Sequence, residues 1–194
     1  TGSTTDNWGC TATYDSLGNL YAGGIVVSTG GSMNGYPTST GAFQTQYQGG
    51  GTGLGTDIVI SKFEDDGSSL IYSTYLGGNN NEIPHSLVVN SNNQLYILGT
   101  TSSSNFPTTN SAFDGTYNGG SSIGTGTGGN NNSNGVAYPN GSDIIVAKFN
   151  ANGTNLIGCT YVGGSGNDGI NLSDTLQKAY ADEYRGEIIV DNND

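Results

Sequence analysis

The hydrophobic and polar positions along this chain follow the same pattern twice. Asp57–Gly78 (DIVISKFEDDGSSLIYSTYLGG) and Asp143–Gly164 (DIIVAKFNANGTNLIGCTYVGG) align without a gap, at a constant spacing of 86 residues. In each copy a run rich in β-branched and aromatic residues is broken by Asp66-Gly67 or Asn152-Gly153, dipeptides that favour the positive φ angles of a hairpin turn. Each copy therefore predicts two antiparallel strands joined by a tight turn.

Two further strands precede each hairpin. They are predicted over Gly9–Asp15, Asn19–Val27, His85–Asn90 and Gln94–Thr101, and a third copy begins at Gly186–Asp194. The first strand of each hairpin, beginning at Asp57 or Asp143, does not alternate cleanly between apolar and polar residues. Both faces of each sheet should therefore be covered by neighbours. This predicts an all-β fold of four-stranded antiparallel blades of a β-propeller, with two full repeats plus the start of a third. The units are residues 1–78, 79–164 and 165–194.

Length differences between the copies fall in the connections between strands. The Gly- and Asn-rich segments Gln48–Thr56 and Asn118–Gly141 are predicted to be long disordered or exposed loops. In the third unit, apolar residues over Leu172–Tyr180 recur near helical spacing, which predicts a short helical insert. Phe43 and Phe113 follow an aromatic-Pro-Thr element in each copy, and we interpret both as core residues between neighbouring sheets.

Several segments together resemble a known family, the bacterial SBBP β-propeller repeat. They are Leu70–Gly78 (LIYSTYLGG), Gln94–Thr101 (QLYILGTT), Phe106–Phe113 (FPTTNSAF) and Ser142–Phe149 (SDIIVAKF). The resemblance covers nearly the whole chain outside the Gly-rich segments. It implies part of a large secreted or cell-surface protein, of the kind found in Bacteroidetes, where such repeats occur in adhesins of gliding bacteria and in proteins exported by type IX secretion.

Charge and hydropathy narrow the set of partners. With 16 Asp plus Glu against 4 Lys plus Arg, the net charge of −12 repels nucleic-acid phosphates and anionic lipids. No apolar stretch reaches the ~18 residues of a membrane span, so we expect neither nucleic-acid binding nor direct membrane insertion. The expected partners are further blades of the parent chain or another surface protein, together with surface glycans. We expect a piece of a longer exported chain, extracellular and at the cell surface.

The side chains that could take part in catalysis or metal binding do not form the patterns that such sites require. His85 is the sole histidine and has neither a nucleophile nor metal-ligand spacing beside it, so we predict no catalytic residues, no metal and no cofactor. Asp57 and Asp143 could be paired carboxylates for glycoside hydrolysis, but residues that recur in successive repeats favour a strand-start role. Asp191–Asp194 resembles a calcium loop in composition, although the Gly and Glu of an EF-hand are absent, and a hairpin turn is the preferred interpretation.

Four residues are candidates for covalent modification. Cys10 and Cys159 could form a disulfide in an exported protein or remain as two buried free thiols. Ser16 and Thr175 follow Asp and precede Leu, a pattern associated with O-glycosylation in the Bacteroidetes that the resemblance implies. A turn and a helix cap are the alternative interpretations of these two motifs.

The sequence predicts a non-catalytic extracellular β-propeller module, a structural or adhesive part of a large secreted or cell-surface protein. The alternative is a glycan-binding module or part of a carbohydrate-active enzyme whose catalytic residues lie outside this chain. Neither composition nor motif names a ligand.

Overall fold

The structure is a computed structural model that describes residues 6–29, 35–49, 54–124, 136–171, 184 and 186–191. Eight strands occupy this part of the chain: β1 (Asn7–Tyr14), β2 (Leu20–Thr29), β3 (Leu54–Phe63), β4 (Leu70–Leu76), β5 (Glu82–Val89), β6 (Leu95–Thr101), β7 (Asp143–Phe149) and β8 (Leu156–Val162). They form two four-stranded antiparallel sheets, in the orders β1-β2-β3-β4 and β5-β6-β7-β8. The all-β prediction and the four-stranded antiparallel units are confirmed, and the described residues do not close into a ring.

The two sheets share one register, including its irregularities. Lys62 pairs with Tyr21 on one side and with Tyr72 on the other, and Lys148 pairs in the same way with Tyr96 and Gly158. A register shift follows each lysine, and another interrupts each first strand, at Cys10 in β1 and at His85 in β5. The sequence repeat is therefore also a structural repeat, with bulges in equivalent places.

The main core lies between the two sheets. One face of the first sheet packs against one face of the second, and the buried residues of this cluster include Tyr21, Ile58, Ile60, Tyr72, Leu76, Leu87, Leu95, Ile97, Ile145, Ala147 and Phe149. Gly23 lets the sheets approach closely, because a Cβ at this position would lie 2.7 Å from Leu87 Cδ1. Both faces of β3 are covered, as the sequence predicts, since Val59 on the opposite face packs with Tyr36 and Tyr47.

The segment Asn118–Gly141 is not simply an exposed loop, and that prediction is wrong at both of its ends. Ile123 and Tyr138 form a bridge with backbone N···O distances of 2.9 and 2.8 Å, and both side chains are buried. With Val136 they pack against Ile25 and Val27 of β2 and Ile83 of β5. Residues 125–135 of this segment lie outside the described residues. The described ends of the segment therefore contribute side chains to the hydrophobic core.

Two further predictions are corrected. Residues 186–191 are not in a strand, and Ile189 is 85% exposed, because this segment is not paired with any strand among the described residues. Phe43 is half-buried and packs on Phe149 of the second sheet with ring centroids 5.5 Å apart, but Phe113 is 92% exposed and is not a core residue. β3 begins at Leu54, inside the segment predicted to be a loop.

The predicted short helix over residues 172–180 lies outside the described residues. None of the described residues belongs to a helix long and apolar enough to span a membrane.

Candidate functional site

The turns after β1 and β5 are held by a side chain that precedes them. Asp15 Oδ1 accepts hydrogen bonds from the backbone N–H groups of Leu17 and Asn19, both at 3.0 Å. Asn90 Oδ1 accepts in the same way from residues 92 and 94, at 3.1 and 2.8 Å. Gly18 and Asn93 take positive φ angles of 86° and 59° in these turns. The prediction of hairpin turns is confirmed at both places.

A calcium loop is the alternative interpretation of the equivalent third turn, Asp191–Asp194. Nowhere in the described ranges do three or more His, Cys, Asp or Glu side chains gather as they would around a metal ion. The equivalent third turn is described only at Asp191, and its remaining residues lie outside the described part of the chain.

Asp15 also forms a buried ion pair with Lys62. Lys62 Nζ lies 2.9 Å from Asp15 Oδ2, and the same amino group stands 4.8 Å from the centroid of the Tyr21 ring. Burial alone would raise the pKa of Asp15, but hydrogen bonds from Asn19 and Lys62 outweigh this effect and lower the pKa to about 2. The Asp15 carboxylate is therefore held within the first sheet by these hydrogen bonds and by its ion pair with Lys62.

Asp57 and Asp143 anchor the loops that precede β3 and β7. Asp57 Oδ2 and Oδ1 accept from the N–H groups of residues 48 and 49 at 2.7 and 2.8 Å. Asp143 accepts from residues 118 and 119 at 2.7 and 3.0 Å. The two carboxylates are fully buried and lie in different sheets, so the structure does not bring them together as a catalytic pair.

Glu82 is a buried carboxylate that the sequence reasoning missed. It begins β5 and is fully buried, and its Oε1 accepts from the hydroxyls of Thr101 and Ser103 at 2.6 and 2.5 Å. Its Oε2 accepts from the N–H of Gly78 at 3.1 Å. Glu82 therefore ties the connection between the two repeats to β6 and to the residues that follow it.

Asp57 and Glu82 meet at Gly77. A Cβ on Gly77 would lie 2.6 Å from Asp57 Oδ1 and 2.8 Å from Glu82 Oε2, so only glycine leaves room for both groups. Burial, followed by repulsion from Glu82, raises the pKa of Asp57 to about 8. Burial also raises the pKa of Glu82 to about 7, against the opposing effect of its three hydrogen-bond donors. Both carboxyl groups therefore hold their protons to a higher pH than an exposed Asp or Glu does.

The same arrangement recurs 86 residues later. Gly163 stands in the place of Gly77, and a Cβ there would lie 2.6 Å from Asp143 Oδ1 and 3.1 Å from Asp168 Oδ2. Asp168 Oδ2 accepts from the N–H of Gly164 at 2.9 Å, as Glu82 does from Gly78. Burial, and more weakly the charge of Asp168, raises the pKa of Asp143. The spacing of Glu82 and Asp168 is the sequence signal that could have identified the pair.

His85 is held by its surroundings. Its Nε2 lies 2.9 Å from Thr100 Oγ1, its ring meets Tyr184 edge-on at 5.9 Å between centroids, and burial lowers its pKa to about 4. Its environment is that of a neutral, packed side chain.

The candidate modification sites have different environments. Both thiols are free in the structure: Cys10 is exposed in β1, whereas Cys159 is buried in β8, where burial raises its pKa to about 12. Cys10 is therefore not the buried thiol that one alternative assumed. Ser16 is exposed in the turn after β1, and Thr175 lies outside the described residues.

Part of the chain matches a known protein family. Residues 71–107 match the SBBP family, a beta-propeller repeat. The matched segment begins in β4, passes through the Gly77-Gly78 connection and ends after β6, so the SBBP unit spans the junction where Asp57 meets Glu82. No curated protein matches the chain. The SBBP match and the two equivalent sheets indicate a structural repeat module.

Proposed function

We propose that this chain is a non-catalytic module of a large extracellular protein, in which SBBP-type repeats serve as a structural or adhesive part of the cell surface. One observation carries the proposal: the polar residues that recur between the repeats are used internally. Asp57 and Asp143 each accept two backbone N–H groups of their own repeat and are fully buried. A carboxylate in that position stabilises a loop and does not contact a substrate.

The surface loops fit the same proposal. The connections that follow β2 and β6 differ in length between the repeats while the strands keep their register, which is typical of a scaffold that carries variable loops. The partners proposed for these surfaces are further blades of the same kind, another surface protein, or surface glycans. A net charge of −12 favours a partner that does not present dense negative charge.

Location and activity test the proposal separately. An antibody raised against the 194-residue protein should bind intact cells of the source organism without permeabilisation, and a signal only after permeabilisation would contradict the extracellular role. The purified protein should release no reducing sugar from a panel of polysaccharides. Release that survives repeated purification would instead support the alternative of a carbohydrate-active enzyme, and retention on a glycan array would support a glycan-binding module.

A further inference from the structure

Three reactive side chains meet beside the turn that follows β1. Asp15 Oδ2 accepts one hydrogen bond from Lys62 Nζ at 2.9 Å and another from Asn19 Nδ2 at 3.0 Å. Asp15 Oδ1 is held separately by the backbone N–H groups of Leu17 and Asn19, so the carboxylate keeps one orientation. An amine and a carboxamide therefore both lie within hydrogen-bonding distance of the same carboxylate oxygen.

The strand register brings the amine and the carboxamide to the same side of the sheet. Lys62 of β3 pairs with Tyr21 of β2, and Asn19 stands two residues before Tyr21. Residues two apart along a strand project to the same face, and a long side chain reaches the diagonal neighbour on the next strand. The long Lys62 side chain is therefore directed along this face toward Asn19 and Asp15.

The three side chains are shielded from solvent. The exposed fractions are 4% for Asp15, 9% for Asn19 and 6% for Lys62. The Tyr21 ring lies below the amino group, with Nζ 4.8 Å from the ring centroid, and Tyr72 pairs with Lys62 from β4. Water therefore has little access to the amine, and the reacting groups are held in place before any reaction begins.

The second repeat completes this enclosure. The Tyr72 ring meets the Tyr21 ring edge-on, with 6.3 Å between centroids. Gly153 of the second repeat packs directly on Tyr72, where a Cβ would lie 2.4 Å from the ring. The arrangement around Lys62 is therefore complete only when the two sheets are packed together.

We propose that Lys62 and Asn19 form an intramolecular isopeptide bond, with Asp15 as the catalytic residue. The amino group of Lys62 first loses a proton to solvent, and its lone pair then attacks Cγ of Asn19. The new bond joins Nζ to Cγ, and the bond between Cγ and Nδ2 breaks. Asp15 accepts the second proton from Nζ and passes it to Nδ2, which leaves as ammonia. Asp15 is unchanged at the end, and no oxidant or reductant is consumed.

The ion pair is the state that precedes this reaction. Burial raises the pKa of Asp15, but hydrogen bonds from Asn19 and Lys62 outweigh it and lower the pKa to about 2, so the carboxylate is ionised whenever the amine is neutral. Only the neutral amine is a nucleophile. The bond should therefore form at alkaline pH, whereas the ion pair persists at neutral and acidic pH.

The second repeat contains a natural control for the role of Asp15. Asn90 stands in its place, Gln94 stands in the place of Asn19, and Asn90 Nδ2 donates to Gln94 Oε1 at 3.0 Å. Lys148 is half-exposed and lies over the Tyr96 ring. An amide does not accept and return a proton as a carboxylate does. Lys148 should therefore remain a free amine under conditions in which Lys62 reacts.

Mass spectrometry of the folded 194-residue protein tests the proposal after incubation at about pH 9.5. We expect the intact mass to fall by about 17 Da, the mass of ammonia. Proteolysis should then yield a branched peptide that joins Asn19 to Lys62. This peptide should survive hydroxylamine, which cleaves the succinimides that Asn-Gly sequences form with the same loss of mass.

Two matched substitutions separate the amine from the charge. Lys62→Arg keeps the cation beside Asp15 but removes the nucleophile, so the branched peptide should disappear. Lys148→Arg is the control and should leave the branched peptide unchanged. Asp15→Asn gives the first repeat the residue of the second, and we expect the bond to form at least ~10-fold more slowly. Protein held in denaturing urea at the same pH should not form it.

An unchanged mass of the folded parent protein, or a mass loss with no branched peptide between Asn19 and Lys62, would overturn the proposal. An equal rate in Asp15→Asn or in urea would also overturn it, because the bond would then need neither the carboxylate nor the fold. A loss of about 18 Da, with Lys62 joined to Asp15, would overturn the assignment of Asn19 as the acceptor.

Discussion

Asp57 and Glu82 belong to different repeats, yet their carboxylates converge on the single point left free by Gly77. Asp57 holds the loop before β3, and Glu82 holds the connection that leads into β5. Two fully buried like charges at this junction cost free energy unless one of them is protonated. The junction between the sheets is therefore sensitive to pH.

Stability should fall as the pH rises through neutrality. The pKa values of Asp57 and Glu82 are raised in the folded protein to about 8 and about 7, above their usual values near 4. The folded state therefore holds protons that the unfolded state releases, and its free energy of unfolding decreases between about pH 4 and pH 8, by up to ~1.4 kcal/mol per pH unit for each proton. Urea unfolding at pH 5, 6, 7 and 8 measures this slope.

The Glu82→Gln substitution should weaken the dependence of stability on pH. The amide can donate to the hydroxyls of Thr101 and Ser103, which can rotate to accept, and its oxygen can still accept from Gly78. With the repulsion removed, we expect the variant to exceed the parent in stability by about 1 kcal/mol or more at pH 8 and to differ less at pH 5. Asp66→Asn, on an exposed turn, is the control and should leave the slope unchanged. If the Glu82→Gln variant kept the parent protein's dependence of stability on pH, other groups would be responsible for that dependence.

Gly77→Ala should destabilise the protein for a steric reason. The new methyl would stand 2.5 Å from Asp57 Cγ and 2.8 Å from Glu82 Oε2, and neither carboxylate can withdraw without losing buried hydrogen bonds. We expect a loss of about 1–3 kcal/mol in urea unfolding. Gly166→Ala is the matched control, because nothing lies within 4 Å of its Cβ position. Equal stability of the two variants would contradict the close approach at Gly77.

The regular part of the fold could be predicted from the sequence, because strand, turn and spacing signals all recur at a constant offset. Asp66-Gly67 and Asn152-Gly153 mark the outer hairpins, and the register of β7 and β8 repeats that of β3 and β4. The buried ends of Asn118–Gly141 could not be predicted in this way. Ile123 and the short run Val136–Tyr138 lie in a Gly- and Asn-rich segment that has no counterpart in the first repeat.

Only one member of each carboxylate pair at the junctions could be predicted from the sequence. Asp57 and Asp143 stand out as repeated residues before a strand, whereas Glu82 and Asp168 differ in residue type, so only their common spacing after Gly-Gly connects them. The exposure of Phe113 follows from the absence of a neighbouring sheet among the described residues, which no local pattern encodes. The same reason explains why residues 186–191 do not form the predicted strand.

Ser16 should be accessible to modification in the native protein. It is exposed in the turn after β1, and the side chain of Asp15 beside it is directed into the sheet by its ion pair with Lys62. Peptide mass analysis of the protein from its source should show added hexose mass on the peptide that contains Ser16 and not on its Ser16→Ala counterpart. A peptide recovered fully unmodified would remove the O-glycosylation hypothesis at this position.

Lys62 and Lys148 offer a direct comparison of a buried ion pair with its half-exposed equivalent. Lys62 pairs with Asp15, whereas Asn90 stands in the place of Asp15 in the second repeat, and Lys148 lies over the Tyr96 ring at 4.7 Å. Lys62→Met leaves the Asp15 carboxylate buried without its cation, so we expect a loss of about 3–5 kcal/mol at pH 7. Lys148→Met removes only a half-exposed cation–π contact and should cost less than about 1 kcal/mol.

The pH dependence separates loss of the ion pair from loss of packing. Because the folded pKa of Asp15 is lowered to about 2, this group contributes stability that is complete above its unfolded pKa near 4 and is lost as the pH falls through about 2. In Lys62→Met the cation that lowers this pKa is gone, so protonation of Asp15 should relieve the buried charge. The stability difference between Lys62→Met and the parent should therefore shrink between pH 7 and pH 3, while that of Lys148→Met should stay constant. A difference for Lys62→Met that is the same at both pH values would mean that its side chain contributes packing alone.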